Sequence, residues 1–287
     1  MPLVERLCII GVGLIGGSLS LALKQAGAVG SVIGVGRSAT NLDDALRLGV
    51  IDEASHDAAS AVEGSDMVVL AVPVGATQAV CEQIRDHLAA DAVLTDVGSV
   101  KGDVVAQVEA AFGEAPANFV PGHPIAGTEK SGAAAAFPTL YEGRRVLLTP
   151  LAHTAETALD RVRRMWETAG AEVETMEVAH HDAVLAATSH LPHMLAFGLV
   201  DRLARMEDSG EIFRYAAGGF RDFTRIASSD PVMWRDICMH NREALLAAMA
   251  QFEEELAELR QAIDAGDGER LFEIFTRARE ARDGFTG

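Results

Sequence analysis

Basic side chains are scarce in this chain, 24 Lys and Arg against 42 Asp and Glu, giving a formal net charge of −18 over 287 residues. A surplus of acid excludes the partners that need broad positive patches, nucleic acid and anionic membrane surfaces. Any anionic substrate must therefore meet a local basic pocket. Cysteine is nearly absent: Cys8, Cys81 and Cys238 lie far apart with no C-x-x-C pair, which excludes a disulfide framework and reads as reduced core residues of a cytoplasmic protein. No segment approaches the ~18 uninterrupted apolar residues that a membrane helix needs. The apolar N-terminus follows Glu5 and Arg6, is broken by glycines and lacks a signal-peptidase site. Low-complexity tracts and internal repeats are missing apart from the short alanine run 133–136. No lysine follows Lys130.

What is present begins at the N-terminus. An apolar run at residues 7–10 ends in Gly11-Val12-Gly13-Leu14-Ile15-Gly16-Gly17-Ser18, and a helical segment follows at 19–25. Gly-x-Gly-x-x-Gly between a strand and a helix is the context of a dinucleotide fingerprint. Gly11 permits the tight turn, Gly13 lets a pyrophosphate approach the backbone, and Gly16 lets the helix pack on the strand. With Leu14 and Ile15 between them, these residues offer unpaired N–H groups and a positive helix end to phosphates.

A second strand at 31–35 ends in Gly36-Arg37-Ser38. An NAD-binding chain usually has Asp or Glu here, to hold the adenine ribose hydroxyls, yet no acid appears before Asp43. Arg37 and Ser38 can cradle a 2′-phosphate by charge-assisted hydrogen bonds, which favours NADP over NAD. The other reading stacks Arg37 beside the adenine and leaves both cofactors usable.

Strands and helices alternate through the first half. The strand at 67–72 reaches Val72 and ends at Pro73. The strand at 92–95 ends in Asp96-Val97-Gly98-Ser99. Ligands sit beyond the carboxyl ends of strands in open parallel sheets, so Val72, Pro73, Asp96 and Ser99 should face the cofactor. Strands at 145–149 and 172–176 flank a helix at 154–169. From Val178 the chain reads as helical, with a kink or break expected at Pro192. Ser229-Asp230-Pro231 is a helix start. In a helix over 241–264, Leu245, Met249, Phe252, Leu256, Leu259 and Ile263 form a stripe that suits a dimer seam or one face of an internal bundle. The reading is an α/β dinucleotide-binding domain at 1–174 followed by an all-α domain at 175–287.

Two clusters carry chemistry. Gly122, Pro124 and Gly127 are expected to shape a loop that holds His123, followed by Thr128, Glu129 and Ser131. An imidazole fixed in this way suits a general base. Later, His181-Asp182 leads into Ser189-His190-Leu191-Pro192-His193. These histidines lack the H-E-x-x-H arrangement and any nearby cysteine, so they are not read as a metal site. Backbone hydrogen bonds at a helix break suit His181 and His190, and His193 is placed to reach a ligand. Arg225 suits bidentate capture of a carboxylate, oriented by Asp222, although a surface ion pair explains the two equally well. Trp234 reads as a packing residue.

Together these segments resemble the prephenate/arogenate dehydrogenase family of tyrosine biosynthesis. The matching pieces are GVGLIGGS at 11–18, TDVGSVK at 95–101, GHPIAGTEKSG at 122–132, His181-Asp182, SHLPH at 189–193 and GGFRDFTRIASSDPVMW at 218–234. The resemblance implies a Rossmann-type domain followed by a helical dimerisation domain, hence a homodimer through the C-terminal helices. It implies oxidative decarboxylation of a cyclohexadienyl substrate, with His123 as base and Ser99 beside it on the same hydroxyl. It makes Arg225 the carboxylate clamp and His193 a second substrate contact, with Thr128, Glu129 and His181 in the pocket. A chain of this length is expected to carry neither a mutase nor a separate regulatory domain. Two rival readings are a β-hydroxyacid dehydrogenase, which would need a lysine in the helical half, and a non-catalytic nicotinamide-binding sensor.

Overall fold

Short strands dense in Val, Ile and Leu build the first layer. The computed structural model describes residues 2–128 and 130–286. It runs β1 (Val4–Ile10), α1 (Leu14–Gln25), β2 (Val29–Val35), α2 (Ala39–Arg47), β3 (Glu53–Ser55), α3 (Ala58–Val62), β4 (Met67–Leu70), α4 (Thr77–Ile84), β5 (Val93–Asp96), α5 (Lys101–Phe112) and β6 (Phe119–Val120). These strands pair in parallel in the order β3-β2-β1-β4-β5-β6. β4 and β5 are buried along their whole length, because helices cover both faces.

Leu19, Leu23, Val162 and Trp166 pack on one face of the sheet, and Val62, Ile84, Val104 and Val108 on the other. Cys8 and Cys81 belong to the second cluster. Burial pushes both thiols up to about 12, so they stay protonated and behave as core residues.

The strand order reverses between β1 and β4, which opens a crevice beyond their carboxyl ends. α1 begins at Leu14, five residues ahead of the expected start, with Gly13 as its cap.

The chain then crosses to a second sheet through Pro121. β7 (Gly122–Pro124) pairs antiparallel with β8 (Arg145–Leu148), and β8 pairs in parallel with β9 (Glu172–Thr175), which follows α6 (Glu156–Thr168). The expected loop around His123 is therefore a strand: His123 sits opposite Leu147. Antiparallel pairing with a segment more than twenty residues later overrides the loop signal of Gly122 and Pro124.

Everything after β9 is helical: α7 (Val178–Leu185), a π turn (Ala186–His190), α8 (Leu191–Ala204), α9 (Ser209–Arg214), α10 (Gly218–Thr224), α11 (Pro231–His240), α12 (Arg242–Asp264) and α13 (Gly268–Thr286). Asp230 caps α11 by accepting from Val232 and Met233 N–H, with Pro231 in the first turn, as the sequence predicts. The break expected at Pro192 does not occur. The π turn precedes the proline and takes up its missing N–H and ring bulk, so one helix runs on from Val178 to Ala204. It is 27 residues long and contains an 18-residue stretch with a mean hydropathy of 1.4, enough to cross a membrane by length and composition. In the fold this helix carries the polar residues of the site described next.

Candidate active site

The glycine turn after β1 is shaped for close approach. Gly11 has φ +104°, and a Cβ there would lie 2.3 Å from the Ala71 carbonyl oxygen. A Cβ on Gly16 would lie 2.7 Å from both the Gly11 carbonyl oxygen and Ile9 Cγ2. Both glycines are thus required by the fold itself. Gly13 differs, because no atom lies within 4 Å of its would-be Cβ, and no side chain caps the helix it opens. Open space above free helix N–H groups fits a dinucleotide pyrophosphate. Leu14 is buried, and the Ile15 carbonyl accepts a 2.6 Å hydrogen bond from the Tyr141 hydroxyl, pinning this turn to the segment before β8.

Val72, Pro73 and Ser99 lie at the same carboxyl edge of the sheet. Arg37 and Ser38 follow β2, both exposed, and Ser38 Oγ accepts from Asn41 N–H as the cap of α2. His56, on the neighbouring strand end, donates through Nδ1 to the Gly36 carbonyl at 2.7 Å. Sequence reasoning passed over this histidine.

Asp96 does not face the crevice as expected. It is 2 % exposed, pairs with the Lys101 ammonium, and accepts from Gly98 N–H at 2.7 Å and Gly122 N–H at 3.1 Å. Lys101, fully buried, also donates to the Gly122 carbonyl at 2.6 Å. Burial lowers the Lys101 pKa, and Asp96 opposes that shift. This pair clamps the backbone immediately before His123. A buried lysine at a helix start has no periodic signature, and Lys101 was not anticipated.

A cleft of about 810 Å³ lies between β7 and the helices, lined by His123, Thr128, Ser189, His193, Arg225 and Trp234 among others. His123 is 8 % exposed at its base. Burial first, then the neighbouring His181, Lys101 and His190, pushes its pKa well below the ordinary histidine value, so the ring is neutral. Its Nδ1 lies 2.9 Å from His181 Nε2, and His181 Nδ1 lies 2.8 Å from Asp182 Oδ1. Asp182 also accepts from the Lys101 and Gly102 N–H groups at 2.8 and 2.7 Å, capping α5. Burial would raise the Asp182 pKa, but these hydrogen bonds outweigh it and hold the carboxylate ionised.

His190 accepts from the Asn241 amide at 3.0 Å, and burial lowers its pKa to about 4. His181 and His190 thus bond side chains, where backbone partners were expected. Asp182, read in the sequence only as the neighbour of His181 and given no role there, is a further site residue.

His193 donates through Nδ1 to the Ser189 carbonyl at 2.8 Å and lines the cleft. Its ring stacks on Trp234, whose indole both packs and lines the cleft. Arg225 lies at the mouth, exposed, and the ion pair with Asp222 does not form among the described residues. Thr128 lines the cleft as expected, whereas Glu129 lies outside the described residues.

A dinucleotide crevice on a parallel sheet, a neutral buried imidazole beside it and a cationic cleft closed by helices define a two-domain NAD(P)-dependent oxidoreductase. Residues 19–175 match the family model "Prephenate dehydrogenase, nucleotide-binding domain", and residues 177–277 match "Prephenate dehydrogenase, dimerization domain". The chain belongs to the prephenate dehydrogenase family. It is 38 % identical over 285 residues to cyclohexadienyl dehydrogenase of Zymomonas mobilis, covering 98 % of this chain and 96 % of that one. It is 36 % identical to prephenate dehydrogenase of Bacillus subtilis, covering 98 % of this chain and 76 % of that one. The crystal structure of prephenate dehydrogenase from Aquifex aeolicus with hydroxyphenyl propionate and NAD+ superposes with a TM-score of 0.91 at 40 % identity, covering 98 % of each chain.

Proposed function

We propose that this protein catalyses the oxidative decarboxylation of prephenate, arogenate or both in tyrosine biosynthesis. The observation that carries the reading is His123, a buried, neutral imidazole at the base of a cleft whose mouth holds Arg225. When bound, NAD(P) supplies the hydride acceptor, and the Gly11–Gly16 turn holds its pyrophosphate. His123 takes the proton of the substrate hydroxyl, and Ser99 bonds the same hydroxyl. Arg225 and His193 hold a carboxylate at the other end, with Thr128 lining the same cleft. The ring carboxylate leaves as CO2 as aromatisation drives the step forward. A positioned base contributes about 10²–10⁴ in rate.

For the cofactor, exposed Arg37 beside the capping hydroxyl of Ser38 favours NADP over NAD. We place the domain division at 174/175 and the homodimer seam on the C-terminal helices. Of the α12 stripe, Leu245 is buried within its own domain, whereas Leu256 and Ile263 are 46 % and 67 % exposed, and Phe272 and Phe275 of α13 are uncovered beside them.

Initial rates with prephenate and arogenate, each with NAD and NADP, test this reading. Turnover is expected with at least one of the two substrates, and faster with NADP than with NAD. No turnover in any of the four combinations by folded protein contradicts it.

A further inference from the structure

The chain of contacts behind His123 has one arrangement of protons that satisfies every partner while both rings stay neutral. Asp182 faces three donors, the Lys101 and Gly102 N–H groups and His181 Nδ1. A carboxylate facing three donors accepts from all of them, so His181 carries its proton on Nδ1. The other nitrogen of neutral His181 is then an acceptor, 2.9 Å from His123 Nδ1. His123 must donate there, which leaves the lone pair of His123 on Nε2, the nitrogen not held by His181. The alternative, a doubly protonated His181 donating to His123, adds a cation to a fully buried ring. The Lys101 ammonium is already charged close by. Such a cation is costly away from water, and it would turn Nε2 of His123 into a donor that cannot accept a proton.

We propose that Asp182 and His181 are positioning residues that set the tautomer of His123, presenting its Nε2 as the proton acceptor. This inference rests on the reading of His123 as the base. It assigns His181 a task, and it makes that task depend on domain apposition. His123 belongs to β7 of the first domain, whereas His181 and Asp182 belong to α7 of the helical one. Asp182 is tied to the first turn of α5 in the first domain, and its own carbonyl accepts from the amide of Asn241, at the junction of α11 and α12, at 2.9 Å. The acceptor is therefore armed only while α7 rests against α5 and β7. When His123 takes up a proton, its Nδ1–H stays donated to His181, and the Asp182 carboxylate behind His181 stabilises the new charge without itself being protonated.

Two measurements test it. In the full chain labelled with [15N]histidine and free of substrate, ring nitrogen shifts report the tautomer, with the His123 signals identified by their loss in His123→Asn. Nδ1 is expected as the protonated nitrogen and Nε2 as the bare one; the reverse overturns the proposal, whatever the substrate proves to be. In kinetics, Gln at 181 replaces the acceptor at the Nε2 position and Leu does not. His181→Leu is expected to lower kcat by about 10²-fold or more, with KM changed less than about threefold. His181→Gln is expected to recover at least about tenfold of that loss. Equal kcat in the wild type and both variants overturns the proposal, as does a change confined to KM. Absence of wild-type turnover would instead overturn the functional reading, and the tautomer measurement would still stand.

Discussion

The imidazole of His193 lies flat on the indole of Trp234, with ring centroids 3.7 Å apart and planes 18° from parallel. The stack fixes a ring that lines the cleft, while the Ser189 carbonyl holds its Nδ1. Trp234 is 8 % exposed and also meets His190 edge to face at 6.1 Å. One indole thus organises two histidines of the helical domain.

An aromatic pair of this kind is worth about 0.5–1.5 kcal/mol beyond its burial. Trp234→Leu should therefore raise the substrate KM up to about tenfold while kcat falls less, and Trp234→Phe should lie between. Steady-state kinetics on both variants checks this. An unchanged KM in Trp234→Leu would remove the stack from substrate binding.

The glycine turn separates folding from cofactor binding. Gly11→Ala meets the Ala71 carbonyl and a φ of +104°, so it should lower Tm markedly. Gly13→Ala meets nothing within 4 Å in the protein, so it should keep a near-native Tm yet weaken cofactor binding about tenfold or more, by filling the space the pyrophosphate needs. Thermal melts paired with fluorescence titration of the reduced nicotinamide tell the two apart. Equal cofactor affinity in Gly13→Ala and the wild type would place the pyrophosphate elsewhere.

Lys101→Met strands the Asp96 carboxylate in the core. Breaking a buried pair by removing one partner costs about 3–5 kcal/mol, and here it also frees the Gly122 carbonyl next to His123. Urea denaturation should report a loss of that order, with kcat lowered by residual displacement of the base. A loss under about 1 kcal/mol would mean that the pair is dispensable to the fold.

Acid should unfold the protein through its buried histidines. His190 titrates near pH 6.5 when unfolded and at about 4 when folded. Its contribution is complete above pH 6.5 and is lost as pH falls to about 4. One pKa unit is worth 1.36 kcal/mol, so the loss is on the order of 3 kcal/mol. His123, also lowered, adds to it with the same sign. The urea midpoint should fall steadily from pH 7 to pH 4, less steeply in His190→Gln. A midpoint independent of pH over that range would contradict the buried neutral assignment.

The parts of this molecule visible in its sequence are those with local signatures. The glycine fingerprint, the apolar runs of β1, β4 and β5, and the Asp230-Pro231 cap each announce themselves within a few residues. The contacts that assemble the site do not. His123 meets His181 across 58 positions, and Lys101 N–H meets Asp182 across 81. Only the topology brings them together, because β6 hands the chain to the second sheet just where α7 packs against α5. For the same reason His123 read as a loop residue: its strand partner, Leu147, lies far along the chain. Asp96 was misplaced because the end of a parallel strand is where a ligand contact is expected, and nothing local shows that Lys101 turns inward to claim it. The π turn before Pro192 was hidden too, since proline alone reads as a break.

The proposed role of His123 as the base of an oxidative decarboxylation is tested most directly by comparing wild type with His123→Asn in kcat and KM for prephenate and arogenate. With His123 as the base, kcat should fall by about 10²–10⁴-fold while KM and the fold are kept. A variant that turns over at the wild-type rate would contradict it.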